Sequence, residues 1–146
     1  MAIVNRFEDL EAWKMARQLS RAVYQCTRSR AFDDDRDLRK QLRRAAVSVM
    51  SNIAEGFDRG TRTEFLYFLR IAKGSVGEIQ SQLFVALDEN YIRQQEFSSI
   101  RELSNSAKRL IAGFMHYLKK PATMTATEGP VLNQKVSRRS QKPVNP

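Results

Sequence analysis

Leu38–Arg59, LRKQLRRAAVSVMSNIAEGFDR, is the stretch whose reading decides the fold. Its first half, entered from Arg36, crowds Arg39, Lys40, Arg43 and Arg44 together. Its second half is a run of small and branched apolar residues that holds Asn52 and Glu55 and reaches Gly56. The apolar positions fall in two rows at helical spacing. Leu38, Leu42, Ala45, Ala46, Val49 and Ile53 make one; Val47, Met50, Ala54 and Phe57 make the other. A helix apolar on two sides has two neighbours to bury against, within the domain or in another subunit. Positive charge on its N-terminal half opposes the helix dipole, so anionic partners are expected to offset it.

The flanking sequence supplies the neighbours. Ala12, Met15, Ala16, Leu19, Ala22, Val23 and Cys26 recur at three- and four-residue steps, predicting a helix over roughly 8–29. RAFDDDR (30–36) interrupts the pattern, and its aspartates suit a turn and an N-cap rather than a metal loop. The central helix is expected over roughly 37–55, with GFDRG as the next turn. Thr61 and Glu64 have the spacing of a capping box, opening a helix over roughly 61–88. Gly74 and Gly77 fall inside that helix, where each costs about 1 kcal/mol relative to alanine and signals close approach of another backbone. Phe97, Ile100, Leu103, Ala107, Leu110, Ile111, Phe114 and Leu118 mark a last helix over roughly 95–120, stopped at Pro121. Four helices on short loops, with no strand-like alternation, predict an all-α, up-down-up-down antiparallel four-helix bundle over 1–120. Residues 121–146 lack periodicity and hold all four prolines, which predicts a basic disordered tail.

Bulk composition narrows the chemistry. With one cysteine and one histidine, Cys26 and His116, the chain has no internal disulfide and no ordinary Cys/His zinc set of its own, so no metal or cofactor is expected. A reduced, cytoplasmic setting is the simplest reading, and no stretch approaches a membrane span. Net charge is +9, of which the tail supplies +3 and the body +6. A positive body favours polyanions through counterion release, which points to RNA or DNA. Arg36, Arg39, Lys40, Arg43 and Arg44 are the candidate nucleic-acid ligands.

Part of that charge has an internal outlet. If the turn between the second and third helices centres near Arg59, Glu78 falls opposite Lys40 and becomes the expected partner of Lys40, Arg43 and Arg44. Glu55 falls near Arg59 and Arg62. Asn52 reads as a buried polar residue that sets register. Ser48, Ser51, Asn52 and Glu55 make no triad without a histidine, and His116 lacks the Glu-x-x-His context of a di-iron bundle, so no enzyme is expected.

Three blocks go further: FEDLEAW (7–13), QLRRAAVSVMSNIAEG (41–56), and Phe68 to Glu78 with its A-x-G-S-x-x-E. Together they resemble the four-helix-bundle proteins encoded in intervening sequences of bacterial 23S ribosomal RNA genes. The resemblance covers about Phe7 to Leu118. It implies a compact bundle that assembles as a homopentamer and has no enzymatic activity. A distant relative, the accessory variability protein of diversity-generating retroelements, is a basic pentamer that binds nucleic acid and a reverse transcriptase. The expectation is therefore a bundle that binds structured RNA or DNA, with a protein adaptor or accessory subunit of a polymerase such as a reverse transcriptase as the alternative.

Overall fold

The computed structural model describes residues 4–120; the predicted tail lies outside them. A single 3-10 turn, Phe7–Asp9, precedes four helices: α1 (Glu11–Thr27), α2 (Arg36–Arg59), α3 (Arg62–Asp88) and α4 (Gln94–Leu118). Each helix packs on its sequence neighbour, and α4 closes the ring against α1. This is the antiparallel four-helix bundle expected. Its core is one cluster in which Leu19, Val23, Leu42, Val49, Ile53, Phe57, Phe65, Ile79, Ala107 and Ile111 are wholly inaccessible.

The ends of the helices follow from local chemistry. Helix α1 starts at Glu11 rather than Glu8 because Leu10 leaves the helical region (φ −74°, ψ 130°) and buries its side chain. Phe7 then meets Trp13 edge-on at 5.3 Å between ring centres. Asp35 caps α2, its carboxylate accepting from the Leu38 N–H at 3.1 Å, as the aspartate run predicts. Thr61 caps α3 by accepting from the Glu64 N–H at 3.2 Å. At α4 the Glu96 carboxylate accepts from the Arg93 N–H at 3.0 Å. Tyr91, in the α3–α4 turn, stacks on Phe32 and donates to Asp35 at 3.1 Å, tying that turn to the α1–α2 turn.

Gly56 is where the expected boundary fails. Helix α2 runs straight through it to Arg59, and Gly60 provides the left-handed cap with φ 89°. Gly56 is buried against α3: a β-carbon there would stand 2.8 Å from Phe68 Cβ and 2.9 Å from Phe65 Cδ1. Close backbone approach is thus a property of Gly56. At Gly74, Gly77 and Gly113 a β-carbon would meet nothing within 4 Å, so the approach expected at Gly74 and Gly77 is not made within this chain.

The later turn shifts the α2–α3 register. Ser48 Oγ lies 2.8 Å from Ser75 Oγ, and Gln82 Nε2 donates to Gln41 Oε1 at 3.4 Å. Continued along the pair, this register sets Glu78 opposite Ala45, not Lys40. Gly56→Ala is expected to cost about 1–3 kcal/mol through overpacking against Phe65 and Phe68. Gly60→Ala is expected to cost about 1–2 kcal/mol through its left-handed backbone. Urea unfolding of the two variants measures both.

Candidate nucleic-acid interface

The five α2 cations separate into two kinds. Arg39 is largely covered, with 21% of its side chain exposed. Its Nε donates to the Thr27 carbonyl at 2.9 Å, and its Nη2 to the Ser29 carbonyl at 3.2 Å and to Asp33 Oδ1 at 2.8 Å. Arg43 donates from Nε to Thr27 Oγ1 at 2.9 Å and from Nη2 to the Tyr24 carbonyl at 3.5 Å, with its guanidinium 4.7 Å above the Tyr24 ring. The C-terminal end of a helix carries unpaired carbonyls and partial negative charge, which cations satisfy. Both arginines therefore act on the end of α1. Asp33 and those carbonyls meet the charge of these two arginines, and Asp35 and Asp37 stand at the first turn of α2 itself.

Arg36, Lys40 and Arg44 are of the second kind. They are exposed on the outer side of α2 and form no ion pair among the described residues. The expected pairing with Glu78 is corrected here: Glu78 is exposed and has no cation within ion-pair distance among the described residues, because the register carries it past Lys40 and Arg43. It shares an open crevice with Arg44, Gln41 and Gln82 without bonding to Arg44.

The α1 surface adds a row that the reading of α2 overlooked. Lys14, Arg17, Arg21 and Arg28 are all exposed at three-, four- and seven-residue steps on one side of the helix. Lys14 pairs with Glu11 at 3.1 Å, and Arg17 lies 5.9 Å from the centre of the Trp13 ring. Arg21 and Arg28 have no ion pair among the described residues. Two shallow open depressions run end to end along this row. Arg6, Trp13, Lys14 and Arg17 line one together with the acids Glu8 and Asp9, the latter paired with Arg6 at 3.7 Å; Tyr24 and Arg28 line the other, and Arg21 borders both. At 1.5 Å per residue the cations span roughly 21 Å. Helix α1 packs on α2 through Tyr24 and Arg43, and Arg36 and Lys40 are exposed on α2. The 3–4 spacing in α1 was the available sequence signal; the denser cluster in α2 drew attention from it.

Elsewhere the polar groups bond to each other. Asn52 is half-buried and donates to Ser48 on its own helix, to the carbonyl at 2.8 Å and to Oγ at 3.0 Å. The register contact assigned to it is made by Ser48 and Ser75 instead. Glu55 and Arg59 pair at 3.5 Å, Arg59 and Glu64 at 3.7 Å, and Arg59 also covers the Phe68 ring at 5.3 Å. Cys26 is buried, and desolvation pushes its thiol up to about 11, well into the protonated form at neutral pH. His116 is exposed. Among the described residues no group of three His, Cys, Asp or Glu side chains is placed to hold a metal ion, and no helix is long and apolar enough to cross a membrane.

A row of exposed cations on the outer sides of α1 and α2 of an antiparallel four-helix bundle is thus the candidate site. A family model described as 23S rRNA-intervening sequence protein matches residues 8–113, which is the bundle from α1 to the last turns of α4. The chain belongs to that family. A crystal structure shares the fold of this chain: a protein of unknown function from the S23 ribosomal protein family of Bacteroides thetaiotaomicron. It is 19% identical, with a TM-score of 0.64 over 71% of this chain and 97% of the other. No curated protein matches the chain.

Arg39→Ala is expected to lower stability by about 1.5–3 kcal/mol, the range for hydrogen bonds to charged groups. Lys40→Ala and Arg36→Ala should stay within about 0.5 kcal/mol of the parent. Thermal and urea unfolding distinguish the two kinds. Because the folded-state thiol is held protonated, Cys26 should resist alkylation by iodoacetamide at neutral pH and react once the chain is unfolded; mass spectrometry reads both.

Proposed function

We propose that this protein is a non-enzymatic bundle that binds structured RNA or DNA through phosphate contacts along the outer sides of α1 and α2. The observation that supports this reading most is the run of exposed cations unbonded to acids within the described chain: Arg21 and Arg28 on α1, then Arg36, Lys40 and Arg44 on α2. Arg17, exposed beside the Trp13 ring, adds a further cation to the run. The family description, which ties these proteins to a ribosomal RNA gene, is consistent with an RNA ligand. Contacts of this kind read charge and shape, so discrimination between sequences is expected to be slight. Assembly into the homopentamer that the family resemblance implies would repeat the groove and raise avidity for a long polyanion.

The site thus shifts from the one first expected. Arg39 and Arg43 hold α1 to α2, and the ligand contacts pass to Arg17, Arg21, Arg28, Arg36, Lys40 and Arg44. Fluorescence anisotropy with a labelled RNA hairpin and a DNA duplex tests this. Affinity should fall steeply between about 50 and about 200 mM salt, with a log–log slope set by the number of phosphates neutralised. Arg17→Ala, Arg21→Ala and Lys40→Ala together should weaken binding and flatten that slope by about 2–3 while unfolding is unchanged. No binding to either ligand at low salt overturns the proposal.

A further inference from the structure

The seam between α3 and α4 lies across the bundle from the α1–α2 seam, because each helix packs on its two neighbours in the ring. A bonded polar set holds its centre. Gln80 donates from Nε2 to Asn105 Oδ1 at 2.7 Å and to Ser104 Oγ at 3.0 Å, which turns its Oε1 to accept from Lys108 Nζ at 3.1 Å. A neutral amide thus fixes the ammonium, and Lys108 has no ion pair among the described residues. An ammonium has further donors to give. Continued along the pair, the same register sets Gly77 opposite Lys108, and nothing stands within 4 Å of where a Gly77 β-carbon would be. Room is left beside a fixed cation.

More cations follow the seam. Lys73, Gly77, Gln80 and Phe84 recur at helical steps on the side of α3 that meets α4, and Arg70 precedes Lys73 by one turn. Across from Phe84, Arg101 lies over the Phe84 and Phe97 rings, 5.5 and 5.9 Å from their centres. The rings position its guanidinium and leave its charge in place. Arg70, Lys73 and Arg101 are exposed and form no ion pair among the described residues. The acids nearest in sequence, Asp88 beyond Phe84 and Glu102 beside Arg101, are exposed and form none either. From Arg70 to the level of Arg101 the row spans roughly 21 Å, the length of the row on α1. Phe84 is the large apolar side chain open on this seam, and Arg101 overlies it. Spaced cations without an open apolar centre suit a repeating polyanion better than a protein helix.

The two rows face opposite ways across two layers of helix, roughly 20 Å with side chains. A nucleic-acid backbone lying along one row is out of reach of the other. We propose that the α3–α4 seam is a second phosphate-binding site anchored by Lys108, and that the protein bridges two nucleic-acid segments by holding one on each side. Two such segments repel each other through their phosphates, and a cationic body between them offsets that repulsion. Held on one scaffold, they meet at a raised effective concentration. This inference rests on the nucleic-acid reading of α1 and α2 and adds a second ligand to it.

A two-hairpin capture assay tests the proposal. Full-length protein is loaded on a bead-bound RNA hairpin at about 50 mM salt and offered a second, non-complementary hairpin carrying a fluorophore. Label kept after washing reads bridging; anisotropy of one hairpin in solution reads simple binding. The parent should keep the label. Gly77→Glu fits the open position and sets a carboxylate against Lys108. It should cut the retained label on the order of tenfold, with single-hairpin affinity within about threefold of the parent. Its helical circular dichroism spectrum should be unchanged. Lys73→Ala with Lys108→Ala should act in the same direction, whereas R17A/R21A/K40A should lower both readings. If no hairpin binds in anisotropy, the reading of α1 and α2 fails and takes this inference with it. If the parent binds one hairpin and keeps no second, bridging alone is overturned. Retention that neither α3–α4 variant reduces also overturns it, since the second segment is then held elsewhere, by the α1 and α2 rows of an assembly or by an acid-binding face of another kind.

Discussion

Phe65 and Phe68 press on Gly56 more closely than a β-carbon there would allow, and much of the bundle follows from that approach. It keeps α2 helical for another turn, moves the left-handed cap to Gly60 and places Thr61 as the first residue able to start α3. Once the turn is set there, the α2–α3 faces can meet in only one way, with Ser48 on Ser75 and Gln41 on Gln82. A slide of α2 along α3 would unseat Val49 and Ile53, both wholly buried, from their packing in the core. The same register carries Glu78 beyond Lys40 and Arg43, which leaves it without an ion pair among the described residues.

Charge in this protein divides by what lies across from it. Arg39 and Arg43 face the final carbonyls of α1, where backbone dipoles do the work that a carboxylate does elsewhere. Geometry suits the choice of residue, because a guanidinium donates in several directions from one plane and lysine does not. Arg36 and Lys40 are one turn away on the same helix, yet they are exposed and form no ion pair among the described residues. Proximity in sequence therefore says little about role here. The direction of the side chain relative to the α1–α2 seam decides it.

Much of the fold was legible in the sequence because helix periodicity and caps are local signals. The apolar rows of all four helices, Asp35 before α2 and Thr61 before α3 were each readable within a few residues. What escaped reading depended on the other helix. A glycine at 56 looks like a stop unless one knows that two phenylalanines arrive against it. Backbone carbonyls occur at every residue, so nothing in the composition marks Tyr24, Thr27 and Ser29 as the acceptors for Arg39 and Arg43. Asn52 looked like a core residue because its neighbours are apolar, but a bond to Ser48 one turn back satisfies it on its own helix. The cations of α1 were visible at helical spacing, and that they lie exposed on a helix packed against α2 came only with the structure.

The closing of α4 on α1 has a kinetic consequence. Three of the four seams join helices adjacent in the chain, and only this one needs a long loop to be drawn shut. Loop-closure entropy rises only with the logarithm of length, so that step is not prohibitive, and topologies dominated by local contacts fold quickly. A polyanion arriving at the bundle would therefore meet a scaffold already in place. Binding to the α1–α2 groove would then be the docking of a rigid surface, with little ordering entropy charged against it and with its rate governed by long-range attraction.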